Sequence, residues 1–262
     1  MNHPSQALNA MRSAAPLVQN ITNYVAMNVM ANVMLAAGAS PAMAHARGEA
    51  AEFAGFASAL SINIGTLDAE WIDCMVLAAK AASAKGTPWV LDPVAVGATG
   101  LRQEAGAQLL ALNPTIIRGN ASEIMALAGL AAQGRGADAA DPVSAAEEAA
   151  RDLATRSGAV VAVTGEVDFV TDGTQAQRIA NGHAMMPLVT ALGCSLTGIV
   201  AAFTAAAPAY DATVAALAYY GAAGEVAAQT AQGPGSFQVA FLDALHAITG
   251  DQLDAMARIT PA

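Results

Sequence analysis

Short apolar runs, each closing on polar or glycine residues, recur along the chain between longer stretches with helical spacing. The runs "PLVQNI" (16–21), "ALSINIG" (59–65), "PWVLDP" (88–93), "PTIIRG" (114–119) and "AVVAVTG" (159–165) predict strands. Helices are expected over 23–37, 68–85, 101–112, 122–129, 143–157, 195–207, 211–230 and 236–249, with Ala-rich segments such as "AAEEAARDLATR" adding helical propensity. That alternation argues for βαβ units: an α/β fold with a central, mainly parallel sheet flanked by helices on both faces. "DFVTDGTQAQRIA" alternates instead around Asp172-Gly173, which predicts a β-hairpin forming an antiparallel edge. The Gly/Ala/Asp-rich stretch 131–142 reads as a flexible flap. With no repeat and no linker composition, one domain over 1–262 is expected.

In open parallel sheets, ligands bind beyond the carboxyl ends of the strands. Asn20, Asn63, Asp92, Arg118 and Thr164 all fall at such ends, so they are expected to share one rim. Composition supports a large core, since 55% of the 262 residues are hydrophobic. Between Arg12 and Arg47 no charged residue occurs, but Asn20, Asn23, Asn28 and Asn32 would lie unpaired in lipid, so a buried soluble helix is expected there rather than a membrane span. No signal-peptide pattern opens the chain.

A net charge of -10 and a pI near 4.6 repel nucleic acid and anionic membrane surfaces, so neither is expected as a partner. A small anionic substrate stays open, because a helix N-terminus, an arginine and a cation can overrule the global field locally. The two cysteines, Cys74 and Cys194, form no CxxC or Cys/His cluster, which points to a reduced, cytoplasmic protein without a zinc site.

Two segments carry candidate chemistry. "GNASE" (119–123) follows a strand and opens a helix, placing Asn120 and Glu123 at i and i+3. An amide and a carboxylate there suit a hydrated Mg²⁺, with Asp92 as a second acid on the rim. Taken alone, the segment reads first as a helix start, with Asn120 or Ser122 as N-cap and Glu123 in the favourable helix-dipole field; Asp92, otherwise a simple turn residue, is what shifts the reading toward a metal. In "LGCSLTG", Gly193 and Cys194 stand ahead of a predicted helix, so the N–H groups of residues 193–196 would face an anion such as a phosphate in transfer. The same potential would lower the Cys194 thiol pKa and suit it as a proton acceptor or covalent nucleophile. A small buried hydrophobe is the competing reading, and it is the one adopted for Cys74. His45 lies close after Met43, within reach of a substrate, but reads as a solvated loop histidine; His183 and His246 show no partner pattern and read as structural. Met27, Met30 and Met34 follow helical spacing and read as core, part of which would line an apolar pocket; Ser236 of "GPGSF" reads as a helix cap.

Taken together and in order, "SINIGTL", "DPVAVGATG", "IRGNASEIMALAG", "VAVTGEVDFVTDG", "LGCSLTGIVAAF" and "GPGSFQVAFLDAL" resemble the hydroxyethylthiazole kinases, thiamine-salvage enzymes with a ribokinase-like fold. The resemblance spans about residues 16 to 246. It implies transfer of the ATP γ-phosphoryl to the hydroxyethyl group of 5-(2-hydroxyethyl)-4-methylthiazole, Mg²⁺ as cofactor, and a homotrimer with active sites between subunits. By the same resemblance Met43, Ala191 and Gly193 contact the thiazole substrate, and Arg118 and Thr164 contact ATP. Asn120, Glu123 and, through water, Asp92 serve the metal-linked phosphates. Cys194 occupies the catalytic position where many ribokinase-like enzymes carry an Asp. The family pattern is G-x-G-C, whereas this chain has Ala191-Leu192-Gly193-Cys194. An alanine there argues against a positive φ and adds a methyl group beside the substrate. Kinases of other vitamin alcohols, such as hydroxymethylpyrimidine or pyridoxal, and nucleotide-dependent dehydration on the same fold remain alternatives. A Rossmann oxidoreductase is disfavoured, because no G-x-G-x-x-G follows the first strand.

Overall fold

Each of the five predicted strands forms, and a sixth joins them. In the computed structural model, which describes residues 3–131 and 142–262, β1 (Leu17–Ile21), β2 (Ser40–Ala42), β3 (Ala59–Asn63), β4 (Trp89–Asp92), β5 (Ile116–Asn120) and β6 (Val160–Thr164) run parallel. The predicted hairpin is β7 (Asp168–Thr171) and β8 (Ala176–Ile179), antiparallel to each other and to β6. A short ninth strand, β9 (Ile259–Pro261), pairs with β8, so the sheet order is β2-β1-β3-β4-β5-β6-β7-β8-β9 and the hairpin is not the edge. Three residues are too few to show a period in sequence, which is why β9 was not anticipated.

The pleat sends alternate strand residues to two cores. Val90, Ile116 and Ala162 face a core built with α1 (Pro4–Ala14), α2 (Met27–Ala37), α8 (Leu192–Thr204), α9 (Ala209–Ala228), α10 (Pro234–Ala247) and α11 (Gly250–Met256). Leu91, Ile117 and Val161 face the other, with α3 (Ala50–Ala54), α4 (Ala69–Lys85), α5 (Gly100–Leu110), α6 (Ala121–Ala131) and α7 (Pro142–Ser157). Burial on both faces is what makes these strands near-continuous apolar runs. Helix α8 lies against β1, β3 and β4, and every residue from Ser195 to Thr204 is buried. Such a helix can be apolar all round, as "LTGIVAAF" is.

Local chemistry sets several boundaries. The Asp68 carboxylate accepts the Trp71 N–H at 2.7 Å to start α4, and left-handed Gly86 ends it. Thr249 and Gln252 form a reciprocal capping box on α11. At the hairpin tip Asp172 accepts the backbone N–H groups of Thr174 and Gln175, with Gly173 at φ 90°. Burial alone would raise the Asp172 pKa, but these hydrogen bonds bring it down to about 2. The predicted flap at 131–142 lies, apart from its two end residues, outside the described residues. Among the described residues no helix is long and apolar enough to cross a membrane.

Candidate active site

Parallel pairing puts the polar strand ends side by side: Asn63 opposite Asp92, and Asn120 opposite Thr164. From there a continuous hydrogen-bonded row forms. The Asn63 amide donates to Asp92 Oδ2 at 2.7 Å, the Thr197 hydroxyl of α8 donates to the same oxygen at 2.8 Å, and Arg118 Nη1 lies 3.4 Å from it. The Arg118 guanidinium continues the row, donating from Nη1 to the Gly193 carbonyl at 3.1 Å and from Nη2 to the Thr164 hydroxyl at 2.9 Å. Thr164 in turn donates to the Gly119 carbonyl at 3.2 Å. Burial pushes the Asp92 pKa up, against the pull of Arg118, Thr197 and Asn63. Its second oxygen, Oδ1, is buried without a partner, and so is Arg118 Nε. A guanidinium offers five N–H donors, so beside these internal bonds one Nη2 hydrogen remains for a ligand, while Nε–H is buried.

At "GNASE" the capping alternative is realised. Asn120 Oδ1 accepts the Glu123 N–H at 3.0 Å and the Ser122 hydroxyl at 2.7 Å, while Glu123 Oε2 accepts the Asn120 N–H at 2.9 Å. Glu123 Oε1 also holds the N–H of Ala95, a left-handed residue (φ 52°) in the loop after β4, at 2.9 Å. Both carboxylate oxygens are therefore engaged, though each keeps a lone pair for a water. No group of three His, Cys, Asp or Glu side chains that could hold an ion occurs among the described residues. Asp92 and Glu123 do not make an all-protein cage; the donor set fits a Mg²⁺ that brings its own waters and phosphate oxygens.

The helix start at Cys194 departs from expectation in three ways. First, Ala191 does adopt the left-handed conformation, at φ 65° and ψ 1°, despite its Cβ. Second, α8 begins at Leu192, three residues earlier than predicted, and its first ladder bond runs from the Ser195 N–H to the Ala191 carbonyl at 2.8 Å. The N–H groups ahead of the ladder are those of Leu192, Gly193 and Cys194, not 193–196, and no side chain caps them. Third, the Cys194 thiol pKa is raised, not lowered. Burial is the main cause and nearby Asp92 adds to it; the Asn23 amide and Arg118 oppose without prevailing. The helix dipole acts in the favourable sense but is outweighed by a half-buried site with a carboxylate close by. At neutral pH Cys194 is a thiol.

Asn23 is the main residue missed from sequence. Its Nδ2 donates to Asn63 Oδ1 at 2.8 Å and to Cys194 Sγ at 3.3 Å, joining the thiol to the Asp92 row. Thr197 was also missed, although its i+3 spacing from Cys194 puts both on one helical face. Asp168, at the start of β7, accepts the Gly165 N–H at 2.9 Å, and burial pushes its pKa up to about 6 against that bond and Arg118. Asn20 points into the core under α8 and donates to the Val18 carbonyl at 3.0 Å, so it does not reach the row. Met43 stands apart too: it follows β2, the edge strand, three strand spacings or about 14 Å from β4.

A strand-end row of amide, acid, guanidinium and hydroxyl, meeting an uncapped helix N-terminus, suits phosphate chemistry, and relatives specify the family. A family model described as the hydroxyethylthiazole kinase family matches residues 8–251. The chain belongs to that family. A hydroxyethylthiazole kinase of Cereibacter sphaeroides is 66% identical over 255 residues, covering 97% of each chain. One from Rhizobium leguminosarum bv. trifolii is 64% identical over 261 residues, 99% of this chain and 98% of the relative. The solved hydroxyethylthiazole kinase structure of Pyrococcus horikoshii OT3 superposes with a TM-score of 0.93 at 38% identity, covering all of both chains. Bacillus subtilis pyridoxal kinase, at 20% identity and a TM-score of 0.59 over 79% of this chain and 91% of its own, shares the fold with this hydroxyethylthiazole kinase family member.

Proposed function

We propose that this chain phosphorylates the hydroxyethyl group of 5-(2-hydroxyethyl)-4-methylthiazole with ATP, as a single-domain salvage kinase of the cytoplasm. Family membership supports the reaction, and one observation ties it to this chain: Arg118 links Asp92, Thr164 and the Gly193 carbonyl, so the acid, the guanidinium and the helix start meet at one point.

Phosphoryl transfer depends on positioning and charge neutralisation more than on covalent chemistry. The N–H groups of Leu192, Gly193 and Cys194 hold the migrating phosphoryl. Arg118 offers its remaining Nη2 hydrogen to the ATP phosphates, and Thr164 fixes the guanidinium. Mg²⁺, when bound, would neutralise phosphate charge; Asp92 and Glu123 would hold it through its waters, with Asn120 fixing the Glu123 carboxylate through their reciprocal hydrogen bonds. Cys194 lines the anion hole as a neutral thiol beside the reacting hydroxyl. In a loose transition state the hydroxyl proton leaves late, passing to an oxygen of the transferred phosphoryl group or to water as the new P–O bond forms and the bond to the ADP oxygen breaks, so no thiolate is needed first. Gly193 and Ala191 border the acceptor. Met43, too far along the sheet to join the same constellation, fits an acceptor site completed between copies of the chain in a homotrimer.

Incubating purified protein with hydroxyethylthiazole, ATP and Mg²⁺ and weighing the product tests the reaction. Light scattering of the same sample tests the trimer; a monomer active at full rate would remove the shared site.

A further inference from the structure

Three loops of the catalytic rim converge on one indole. Trp71, in the first turn of α4, is 6% exposed and packs into the core below. The Tyr24 ring lies 4.9 Å from it and the His45 ring 4.3 Å, centroid to centroid. Tyr24 is the neighbour of Asn23, whose amide reaches Cys194. His45 is two residues beyond Met43, and its Nδ1 lies 2.9 Å from the Met43 carbonyl. The loop after β3 joins them, because the Thr66 hydroxyl accepts the Tyr24 N–H at 3.2 Å. From below, the buried Gln19 amide donates to the carbonyls of Ala44 and Ala50 at 2.8 and 3.0 Å, fixing both ends of the segment that carries His45.

We propose that Trp71 is a positioning residue for the acceptor alcohol. Through Tyr24 and His45 it holds both the Asn23 loop, which borders the anion hole of its own chain, and the Met43 loop, which reaches the acceptor site shared with a neighbouring copy, and so sets acceptor affinity. The inference rests on the proposed kinase reaction, in which Met43 touches the thiazole and Cys194 lines the anion hole. Neither ring contact touches Arg118, Thr164, Asn120 or Glu123, so the nucleotide side is expected to be indifferent.

Steady-state kinetics on folded variants test it. Two aromatic contacts of this kind correspond to about a tenfold or larger change in affinity. Trp71→Ala is expected to raise the acceptor KM by about that factor while the ATP KM stays within about twofold. Trp71→Phe, which keeps a ring in place, should restore most of it. Because Trp71 is buried and its alanine variant risks misfolding, Tyr24→Ala and His45→Ala remove the same contacts from the outer side; each should raise the acceptor KM alone. Fluorescence gives a second readout. Of the two tryptophans, Trp89 is held in the core at 1% exposure, so an emission change on adding hydroxyethylthiazole without nucleotide should vanish in Trp71→Phe while calorimetry still shows binding. Wild-type turnover with acceptor KM unchanged in Tyr24→Ala and His45→Ala would overturn the inference alone. No wild-type turnover would overturn the kinase reading and the inference together.

Discussion

Ala191→Gly is a substitution whose sign depends on backbone conformation at the head of α8. An L-residue with a Cβ pays about 1–2 kcal/mol to sit in the left-handed region, and Ala191 sits there at φ 65°. Glycine removes that cost but frees the unfolded chain, an opposing term of about 0.4–1 kcal/mol. The conformational term is the larger, so the variant should be more stable by about 0.5–1 kcal/mol. With an unfolding entropy of about 2.1 cal/mol/K per residue, a chain of this length should melt about 1–2 °C higher. Ala107→Gly, an exposed position within helical α5, provides the control and should lose about 0.5–1 kcal/mol. Paired urea titrations resolve a difference of opposite sign better than either Tm. Equal destabilisation of both variants would show that residue 191 is not left-handed. The account of the N–H groups at the mouth of α8 would then fail with it. Kinase activity should persist in Ala191→Gly, since only a methyl group leaves the acceptor side.

Cys194→Ala should retain substrate binding and lose less than about 10²-fold in turnover, the lower end of what a positioned general base supplies; complete inactivity, or a phosphorylated wild-type enzyme, would mean the thiol acts as base or nucleophile. Glu123→Gln keeps one acceptor oxygen of the two now used by Asn120 and Ala95; it should raise the Mg²⁺ concentration needed for half-maximal rate at near-unchanged circular dichroism, and an unaltered Mg²⁺ dependence would remove Glu123 from the metal site. Asp168, with its folded pKa near 6, binds a proton more tightly folded than unfolded, so it makes stability fall as pH rises from about 4 to about 6 and contributes a constant penalty above that. Asp168→Asn should therefore be more stable than wild type at pH 7 by up to about 3 kcal/mol, with the gap closing toward pH 4 in denaturant titrations; a gap independent of pH would contradict the assignment.

The five longer parallel strands and the helices between them were legible because buried parallel strands leave runs such as "VVAVT" bounded by turn residues, whereas α1, α3, α11, β2 and β9 were not; the carboxyl-end rule grouped Asn63, Asp92, Arg118 and Thr164 on one rim. The Cys194 environment was not legible. Helix position alone favours a thiolate, whereas the raised pKa comes from burial and from Asp92, a strand residue 102 positions earlier that only the folded chain brings near. The left-handed Ala191 was likewise not legible, since local propensity disfavours it; the next residue, Leu192, is buried and its carbonyl accepts the Tyr220 hydroxyl at 2.8 Å. Asn23 was not assigned to the site because the helical reading of 23–37 took it in as a helix residue, whereas the helix starts at Met27 and leaves Asn23 in the loop after β1. At "GNASE" the sequence allowed a cap and a metal role together, and the reciprocal Asn120–Glu123 bonds establish the cap while leaving the metal role to experiment.

Purified protein given equal concentrations of hydroxyethylthiazole, hydroxymethylpyrimidine and pyridoxal with ATP and Mg²⁺ should yield, by mass spectrometry, one product first: hydroxyethylthiazole carrying a single phosphoryl group, with ADP formed in equal amount. Preferential phosphorylation of either other alcohol, or ATP consumption with no phosphorylated acceptor, would contradict the account.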